Sequence, residues 1–251
     1  MTQDTATLRA EQISKCYNGR CIIQDISLQL APGELVCLLG VSGAGKTTLF
    51  HTLSGLERPE QGRVFLGEED ITGKPGKISY MLQRDLLLPH KKILDNVALP
   101  LVIRGTSAKA ARAEAAPYFA QFGLSGTEHQ YPAQLSGGMR QRASLLRTFL
   151  GSKGVVLLDE PFSALDALTK REIHRWYMTM MAQLQLTTLF ITHDIDEAIL
   201  LSDRIYILSG KPGTISAELT ISPPRPRDLS FGVSPEFLSY KKEILSLLDA
   251  S

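Results

Sequence analysis

One short stretch, GVSGAGKT from Gly40 to Thr47, restricts the possible folds of this chain most strongly. It fits the pattern G-x-x-x-x-G-K-[S/T], follows the apolar run ELVCLLG, and precedes leucines at helical spacing (Leu49, Leu53 and Leu56). In that setting the glycines let backbone N–H groups turn toward phosphate oxygens, and the N-terminus of the helix adds positive potential. The stretch therefore predicts a phosphate-binding loop between a buried strand and a helix.

The residues of this loop and of a second apolar run suit a nucleoside triphosphate with Mg²⁺. Lys46 is placed to reach the β- and γ-phosphates, and the Thr47 hydroxyl is placed to bind Mg²⁺. The run VVLLDE, which ends at Glu160, predicts another buried strand, and ligands of open α/β sheets bind at the C-terminal ends of strands. Asp159 is therefore predicted to hold the magnesium, and Glu160 to polarise the attacking water.

Two further polar residues follow strand-like runs. His193 ends LFITHD, where it is predicted to contact the γ-phosphate and orient the water; a packed histidine is the alternative. Gln83 follows KISYML and is predicted to sense the magnesium or the water. Because phosphoryl transfer depends mostly on positioning and charge neutralisation, these residues together indicate a nucleoside triphosphatase.

Composition limits the partners and the location. Lys+Arg is 27 and Asp+Glu is 26, so the formal net charge is +1 and gives no support to general nucleic-acid binding, with a local basic patch as the open alternative. The N-terminus has no signal pattern, and the longest apolar runs are far short of the roughly 20 residues that cross a bilayer. We therefore expect a cytoplasmic chain; if it works at a membrane, a partner must hold it there. Cys16, Cys21 and Cys37 lack zinc-ligand spacing and predict small buried side chains or free thiols, not a disulfide framework.

The chain reads as one α/β domain over residues 1–251. Strand-like runs alternate with helical segments, which favours a doubly wound sheet. The alanine-rich stretch within about 89–150 predicts a helical subdomain inserted between core parts at about 1–88 and 151–210. A tail with a proline-rich turn and one amphipathic helix is expected over about 211–251.

A second glycine-rich turn, QLSGGMRQ, opens a basic helical segment, and its place among the other motifs resembles the ATP-binding subunit of an ABC transporter. The resemblance covers nearly the whole chain in the family's motif order. It implies a P-loop NTPase core with a mainly parallel sheet, an antiparallel β-subdomain and the helical insertion. Gly40–Thr48 resemble the Walker A loop, Val155–Asp159 resemble Walker B, and Ser163–Asp166 resemble the D-loop.

The resemblance also implies the site residues and their roles. Tyr17 would stack on adenine, although a strand-surface tyrosine is the alternative reading. The implied ATP-binding residues are Tyr17, Gly40, Ser42, Gly43, Ala44, Gly45, Lys46, Thr47, Thr48, Ser136, Gly137, Gly138 and Asp166. The implied catalytic residues are Glu160 (the base), His193 (the switch histidine) and Gln83 (the Q-loop), and the implied Mg²⁺ ligands are Thr47, Gln83 and Asp159.

In this family the signature turn serves the nucleotide of a second subunit. Ser136, Gly137 and Gly138 would cap the γ-phosphate of ATP held by Lys46 of another copy, so a head-to-tail homodimer would sandwich two ATP molecules. Closure by ATP and release after hydrolysis make a two-state switch that a ligand biases. The sequence departs from the family at Met139, where glutamine is common. Since the groups thought essential for hydrolysis are present, we expect an active ATPase.

The stretch RDLLLPHKKILDNVALPL resembles importers of nitrate, sulfonates and taurine, a group that includes importers of pyrimidine precursors. His90 replaces the tryptophan that is common there. The resemblance implies a membrane permease, an indirect partner in a periplasmic or extracellular solute-binding protein, and a place on the cytoplasmic face of the membrane. Residues 83–96 would form a groove for the permease, with apolar contact from Leu86, Leu87, Leu88 and Pro89; core leucines are the alternative.

Three other classes compete with the importer. A soluble ABC-type ATPase of DNA repair or translation usually carries long insertions or tandem cassettes, which are absent here. A protein of an Fe–S assembly scaffold would differ by degenerate catalytic or interface residues, which this sequence does not show. An exporter subunit is disfavoured by the importer-like segment after Gln83.

Overall fold

A computed structural model describes residues 7–163, 167–184, 186–227 and 230–249. The strands are β1 Leu8–Tyr17, β2 Arg20–Leu30, β3 Leu35–Gly40, β4 Gln61–Leu66, β5 Glu69–Asp70, β6 Ser79–Met81, β7 Val155–Asp159, β8 Thr187–Thr192, β9 Arg204–Ser209 and β10 Thr214–Thr220. The α-helices are α1 Lys46–Leu53, α2 Ile93–Ile103, α3 Ala108–Ala115, α4 Tyr118–Gln121, α5 Gly137–Gly151, α6 Ala167–Leu184, α7 Ile195–Leu201 and α8 Pro235–Asp249. Short 3₁₀ turns cover Pro132–Gln134 and Phe231–Val233.

The central sheet has the strand order β10-β9-β3-β8-β7-β6 within the described residues, and only the β9–β10 pairing in it is antiparallel. Every residue of β3, β7 and β8 is buried, because helices or the second sheet cover both faces. The second sheet is antiparallel, in the order β2-β1-β4-β5. These two sheets confirm the α/β fold class predicted from the sequence.

The core lies on both faces of the central sheet, and alternate residues of each strand supply the two sides. Val36 and Leu38 of β3 pack with α1 and the antiparallel sheet, whereas Cys37 and Leu39 pack with the helices on the other face. This period of two follows from the opposite directions of successive side chains along a strand.

Between β6 and β7 the chain forms α2, α3, α4 and α5, and this run falls in the stretch predicted as the helical subdomain. In the stretch predicted as a tail, β10 extends the central sheet and α8 packs against α7 through Phe237 and Ile244. The proposed domain boundaries remain a prediction. Among the described residues, no helix is both long enough and apolar enough to cross a membrane.

The hairpin between β1 and β2 corrects the expectation for the cysteines. Asn18 (φ 50°) and Gly19 (φ 78°) form the connecting turn, a dipeptide favoured where both turn residues need positive φ. The resulting register sets Cys16 opposite Cys21, and these two residues form a disulfide. The expectation of free thiols was wrong for this pair, because cysteine spacing was considered without the register that the turn imposes. Cys37 is a buried free thiol, as expected.

Candidate functional site

A cleft of about 680 Å³ opens at the C-terminal ends of the parallel strands β3, β7 and β8. This is the edge where open α/β sheets bind ligands. Its lining residues are Ile22, Ser42, Gly43, Gly45, Lys46, Thr47, Thr48, Gln83, Asp159, Glu160 and His193. The structure therefore brings the predicted phosphate loop, both predicted carboxylates, the glutamine and the histidine into one cleft.

The phosphate loop connects β3 to α1 and needs glycine at particular positions. Gly45 caps α1 with φ 97°, and a Cβ there would lie 2.5 Å from the Cγ2 atom of Ile23 in β2. At Gly40 a Cβ would collide with the carbonyl oxygen of Leu208 in β9. β2 and β9 therefore pack closely against one side of the loop, and its other side lines the cleft.

Lys46 begins α1 and points back into the loop. Its Nζ donates hydrogen bonds to the carbonyl oxygens of Gly40 at 2.7 Å and Val41 at 2.9 Å. Burial lowers the pKa of Lys46, and the charges of Glu160 and Asp159 oppose that shift. The ammonium group is thus a partly desolvated cation, which interacts strongly with an anion because the surrounding dielectric is low.

Asp159 ends β7 and is 7% exposed. Burial raises the pKa of its carboxyl group, while a hydrogen bond from the Tyr80 hydroxyl to Oδ2, at 3.0 Å, acts to lower it. Tyr80 lies on β6, beside β7, and sequence analysis missed it. Its place three residues before Gln83, on a strand reaching the same sheet edge, was a usable signal.

Glu160 is held by both of the other predicted catalytic residues. Gln83 Nε2 donates to Glu160 Oε2 at 3.1 Å, and His193 Nδ1 lies 3.1 Å from Glu160 Oε1. The backbone of Glu160 has φ 44°, a conformation uncommon for residues other than glycine, and its N–H donates to the Ile191 carbonyl at 3.1 Å. Such local strain concentrates at functional sites, and here it aims the carboxylate into the cleft.

The loop that carries His193 is fixed by buried charges. Thr192, directly before the histidine, donates to Glu197 at 2.6 Å, and its hydroxyl accepts from the Asp194 N–H at 3.0 Å. Lys170 of α6 pairs with Asp194 at 2.8 Å and also with Glu197, which is 4% exposed. The Lys170 contacts were not predicted from the sequence, because they join α6 to residues 24 or more positions along the chain.

Tyr17 lies outside the lining of the cleft, at the end of β1, and is 41% exposed. Its hydroxyl contacts a carboxylate oxygen of Glu57, and Lys15 Nζ lies 5.1 Å from the centre of its ring. Partial burial, together with Glu57, raises the pKa of Tyr17 to about 12. The phenol therefore stays protonated, although the nearby Thr48 hydroxyl acts in the opposite direction on its pKa.

The signature turn does not line the phosphate cleft of its own chain. Ser136 caps α5 and accepts a hydrogen bond from the Met139 N–H at 3.2 Å. Gly137 lines an adjoining cleft of about 810 Å³, which shares Gln83, Glu160 and His193 with the first. Ala44 is buried in the phosphate loop, while Gly138 is buried in the first turn of α5. Asp166 lies outside the described residues.

The donor set fits a magnesium ion that arrives with a nucleotide. In the described part of the chain, no group of three or more His, Cys, Asp or Glu side chains could hold a metal by itself. Mg²⁺ usually takes one or two carboxylates, with phosphate oxygens and water as its other ligands. Asp159 and the Thr47 hydroxyl line the same cleft and suit that pattern.

Comparisons with known proteins agree with this geometry. The family model described as "ABC transporter" matches residues 23–163. The formylaminopyrimidine import ATP-binding protein of Halalkalibacterium halodurans is 43% identical over 96% of both chains. The nitrate import ATP-binding protein of Synechocystis sp. is 37% identical, over 90% of this chain and 87% of its own length.

A solved structure shares the fold. It is a dimeric ATP-binding cassette in a post-hydrolysis state, bound to ADP and Pi, with a TM-score of 0.74 and 26% identity. The match covers 86% of this chain and all of that one, 100%. With the family model spanning more than half of the sequence, these matches confirm the resemblance inferred from the motifs. The chain belongs to the ABC transporter family, as an ATP-binding cassette subunit with ATPase activity.

Proposed function

We propose that this protein hydrolyses ATP to energise the import of a small solute through a membrane permease. The observation that carries the proposal is the position of Glu160, held between Gln83 and His193 in the cleft that also contains Lys46 and Asp159. A carboxylate fixed on two sides beside a phosphate loop is suited to orient and polarise a water molecule.

In the proposed reaction each residue has a separate task. The phosphate loop and Lys46 bind the phosphate chain, with the N-terminus of α1 adding positive potential. Thr47, Asp159 and Gln83 would hold Mg²⁺, which supplies charge neutralisation on the phosphates when it is bound. Glu160 would accept a hydrogen bond from the attacking water. His193 would contact both the carboxylate and the γ-phosphate and so hold them in a fixed relative position. Tyr17 offers its ring to the adenine.

The complete site is proposed to need two copies of the chain. Ser136–Gly138 lie outside the cleft of their own chain, yet they present a capped helix N-terminus, the type of structure that binds phosphate. The related solved cassette is dimeric and bound to ADP and Pi. Ser136 of one copy would therefore contact the γ-phosphate held by Lys46 of the other. Asp166 is proposed to act near the same interface.

The proposal that this chain belongs to an importer rests on its relatives and on the surface beside Gln83. The named relatives import formylaminopyrimidine and nitrate, so we propose a small organic or inorganic solute of that range. Leu86 is 51% exposed and Pro89 is exposed, which supports the proposed permease groove, whereas Leu87 is buried. The subunit would then work on the cytoplasmic face of the membrane, with a solute-binding protein as its indirect partner.

The catalytic assignment is tested with Glu160→Gln. Because the amide cannot polarise water as a carboxylate does, the variant is expected to keep ATP binding while losing about a hundredfold or more of its turnover. Glu243→Gln, an exposed change on α8, is the matched control and should hydrolyse ATP at the parent rate. A Glu160→Gln protein that turns over like its control would remove Glu160 from this role.

The composite site is tested with Ser136→Arg. The variant should bind ATP as an isolated chain but lose turnover, since the arginine obstructs the neighbouring subunit's nucleotide. Mixing it with a Lys46→Ala chain should restore one working site per dimer, because that site combines the intact Lys46 of the first chain with the intact Ser136 of the second. No recovery in the mixture, at concentrations where the parent dimerises, would count against the shared site.

The importer assignment is tested by purifying the tagged chain from native membranes in mild detergent and identifying its partners by mass spectrometry. A permease with several membrane spans should co-purify. A soluble partner without a permease would instead favour the alternative, an ABC-type ATPase in a scaffold such as Fe–S assembly or DNA repair. Screening the companion binding protein against sulfonates, nitrate and pyrimidines would then identify the solute.

A further inference from the structure

We propose that Cys16 and Cys21 are a thiol–disulfide exchange site, reduced by a cellular dithiol, that adjusts how tightly this subunit holds ATP. The inference rests on the proposed function, because it assigns a control to the same nucleotide site. Its basis is the place of the disulfide in the fold, between the residue that would stack on the base and a residue that lines the phosphate cleft.

The disulfide joins the ends of the two strands that form the β1–β2 hairpin. Tyr17 pairs with Arg20 across the Asn18-Gly19 turn, and Cys16 pairs with Cys21 directly behind them. Both cysteines are half-buried, so a soluble reductant has access to them. Cys37, in contrast, lies in the core at 0% exposure, which makes it inert toward the same reagent.

Each cysteine is the direct neighbour of a residue at the nucleotide site. Cys16 precedes Tyr17, the proposed adenine platform. Cys21 precedes Ile22, which lines the phosphate cleft and packs behind Gly45, since a Cβ at that glycine would lie 3.2 Å from the Ile22 Cγ2 atom. The bond therefore ties Tyr17, which lies beside the cleft at the end of β1, to the part of β2 that lines the cleft.

The other described contacts around Cys16 and Tyr17 are hydrogen bonds and a cation–ring contact, so the disulfide is the link here that a reductant can open. The Cys16 N–H donates to Glu60 at 2.8 Å, and Lys15 bonds the same carboxylate at 3.0 Å while lying over the Tyr17 ring. The Tyr17 hydroxyl contacts Glu57. These hydrogen bonds are partly exposed and can exchange with water. The Asn18-Gly19 turn and the strand pairing set the register in either redox state, whereas the covalent bond ties the two strand ends together until a reductant opens it.

The exchange balances as an ordinary two-electron reaction. A thiolate of the dithiol attacks one sulfur of the pair, forms a mixed disulfide and releases the other cysteine as a thiolate, which takes up a proton. The second thiol of the reductant then displaces the attached cysteine. Two electrons and two protons pass to Cys16 and Cys21, and the reductant leaves as a disulfide. On the cytoplasmic face, where this subunit is proposed to work, disulfides are usually transient and redox-sensing.

Reduction should weaken ATP binding and leave the chemical step nearly unchanged. The Ile22 carbonyl accepts a hydrogen bond from the Gly213 N–H at 2.8 Å and stays held when the bond opens. The end of β1 that carries the Tyr17 ring gains freedom relative to it, so ATP binding must order that ring again, which costs affinity. Glu160, His193 and Gln83 lie on other elements and keep their mutual contacts. We expect the KM for ATP to rise about three- to tenfold on reduction, while kcat changes by less than about twofold.

The test compares the parent chain, the Cys16→Ser/Cys21→Ser double variant and Cys37→Ala. Each is equilibrated with oxidised or reduced dithiothreitol, its free thiols are counted, and kcat and KM for ATP are measured. Because Cys37 is buried, the thiols are counted after the chain is unfolded in denaturant. The parent should then show one free thiol when oxidised, from Cys37, and three when reduced, the total in the sequence. Its KM should rise only in the reduced form.

The variants separate this pair from other effects of the reagent. The double variant should keep the reduced-form KM in both conditions, whereas Cys37→Ala should respond as the parent does. A parent KM that is the same in both redox states, or a double variant that still responds, overturns the proposal. If no form hydrolyses ATP, the proposed function itself fails, and the redox dependence of ATP affinity measured by direct binding still decides the exchange site.

Discussion

Replacing Tyr80 by phenylalanine removes a single hydroxyl from the neighbourhood of the carboxylate proposed to hold Mg²⁺. That hydroxyl donates to Asp159 Oδ2 at 3.0 Å. The ring should stay in place, because it packs edge-on against Phe50 at 5.8 Å and against His51 at 5.9 Å between ring centres. The substitution therefore isolates one hydrogen bond from the packing around it.

The size of the effect follows from the charge and burial of the acceptor. A hydrogen bond to a charged group contributes about 1.5–3 kcal/mol, and each 1.4 kcal/mol is about a tenfold change in rate. Asp159 is 7% exposed, so water can replace the lost donor only in part. We expect kcat/KM for MgATP to fall about ten- to a hundredfold, mainly because Asp159 would bind Mg²⁺ less tightly.

The pH dependence of ATP hydrolysis is a second, independent test of this hydrogen bond. Burial raises the pKa of Asp159 and the Tyr80 hydroxyl opposes that shift, so the variant should have a still higher pKa. The carboxylate must be ionised to bind Mg²⁺. Activity should therefore be lost at a higher pH on acidification than in the parent, while the alkaline limb stays where it was.

The assay is steady-state ATP hydrolysis from pH 5 to 9 at several Mg²⁺ concentrations. Tyr118→Phe, which removes a hydroxyl in the helical region against Phe149, is the matched control. Unchanged kcat/KM and an unshifted acid limb in Tyr80→Phe would refute the role given to this hydrogen bond. The same loss in the control would show that general destabilisation, and not Asp159, is responsible.

Other substitutions test the physical origin of the site. Asp159→Asn should raise the melting temperature at pH 7 while abolishing Mg²⁺-dependent hydrolysis, because burial disfavours the ionised carboxylate and stability falls as pH rises through its raised pKa. Lys170→Met removes the cation paired with Glu197 and should cost about 3 kcal/mol in urea unfolding at pH 7. That deficit should shrink on acidification below the ordinary glutamate range, since burial raises the pKa of Glu197 but the contacts with His174 and Lys170 outweigh it and lower that pKa in the folded state. Gly45→Ala should lower both the melting temperature and ATP affinity more than Gly19→Ala, because both glycines have positive φ but only the first has a side chain of β2 in the space of the new methyl group.

The sequence was sufficient for the parts of the site that lie at strand ends. A continuously apolar run such as that before Asp159 predicts a strand buried on both faces, and parallel strands end at the same edge. These patterns predicted that Lys46, Asp159, Glu160 and His193 lie close together, and the structure shows them in one cleft. The parallel sheet could be predicted from local patterns alone, because the continuous apolar run that marks a buried strand lies within the sequence of that strand.

Side-chain contacts between separate elements could not be predicted from these local patterns. The pairing of Lys170 with Glu197 joins two helices whose relative rotation no single-segment pattern specifies. The Tyr80 hydroxyl reaches Asp159 because β6 and β7 pair in one particular register, with Tyr80 opposite Leu157. The disulfide was different, because the Asn-Gly turn between its cysteines already indicated the register that brings them together.

The two clefts meet at the same side chains, and α5 supports the boundary between them. Ser136 caps α5, and further along the same helix Arg147 donates to the Leu86 carbonyl at 2.8 Å. The segment that begins at Gln83 is therefore braced by the helix whose first turn would meet a second subunit. We expect that a displacement of that segment, transmitted from the proposed permease groove or from α5, would change the 3.1 Å hydrogen bond between Gln83 and Glu160. Because the proposed base is held by a residue of this segment, we expect partner binding and water activation to be coupled through the contact between Gln83 and Glu160.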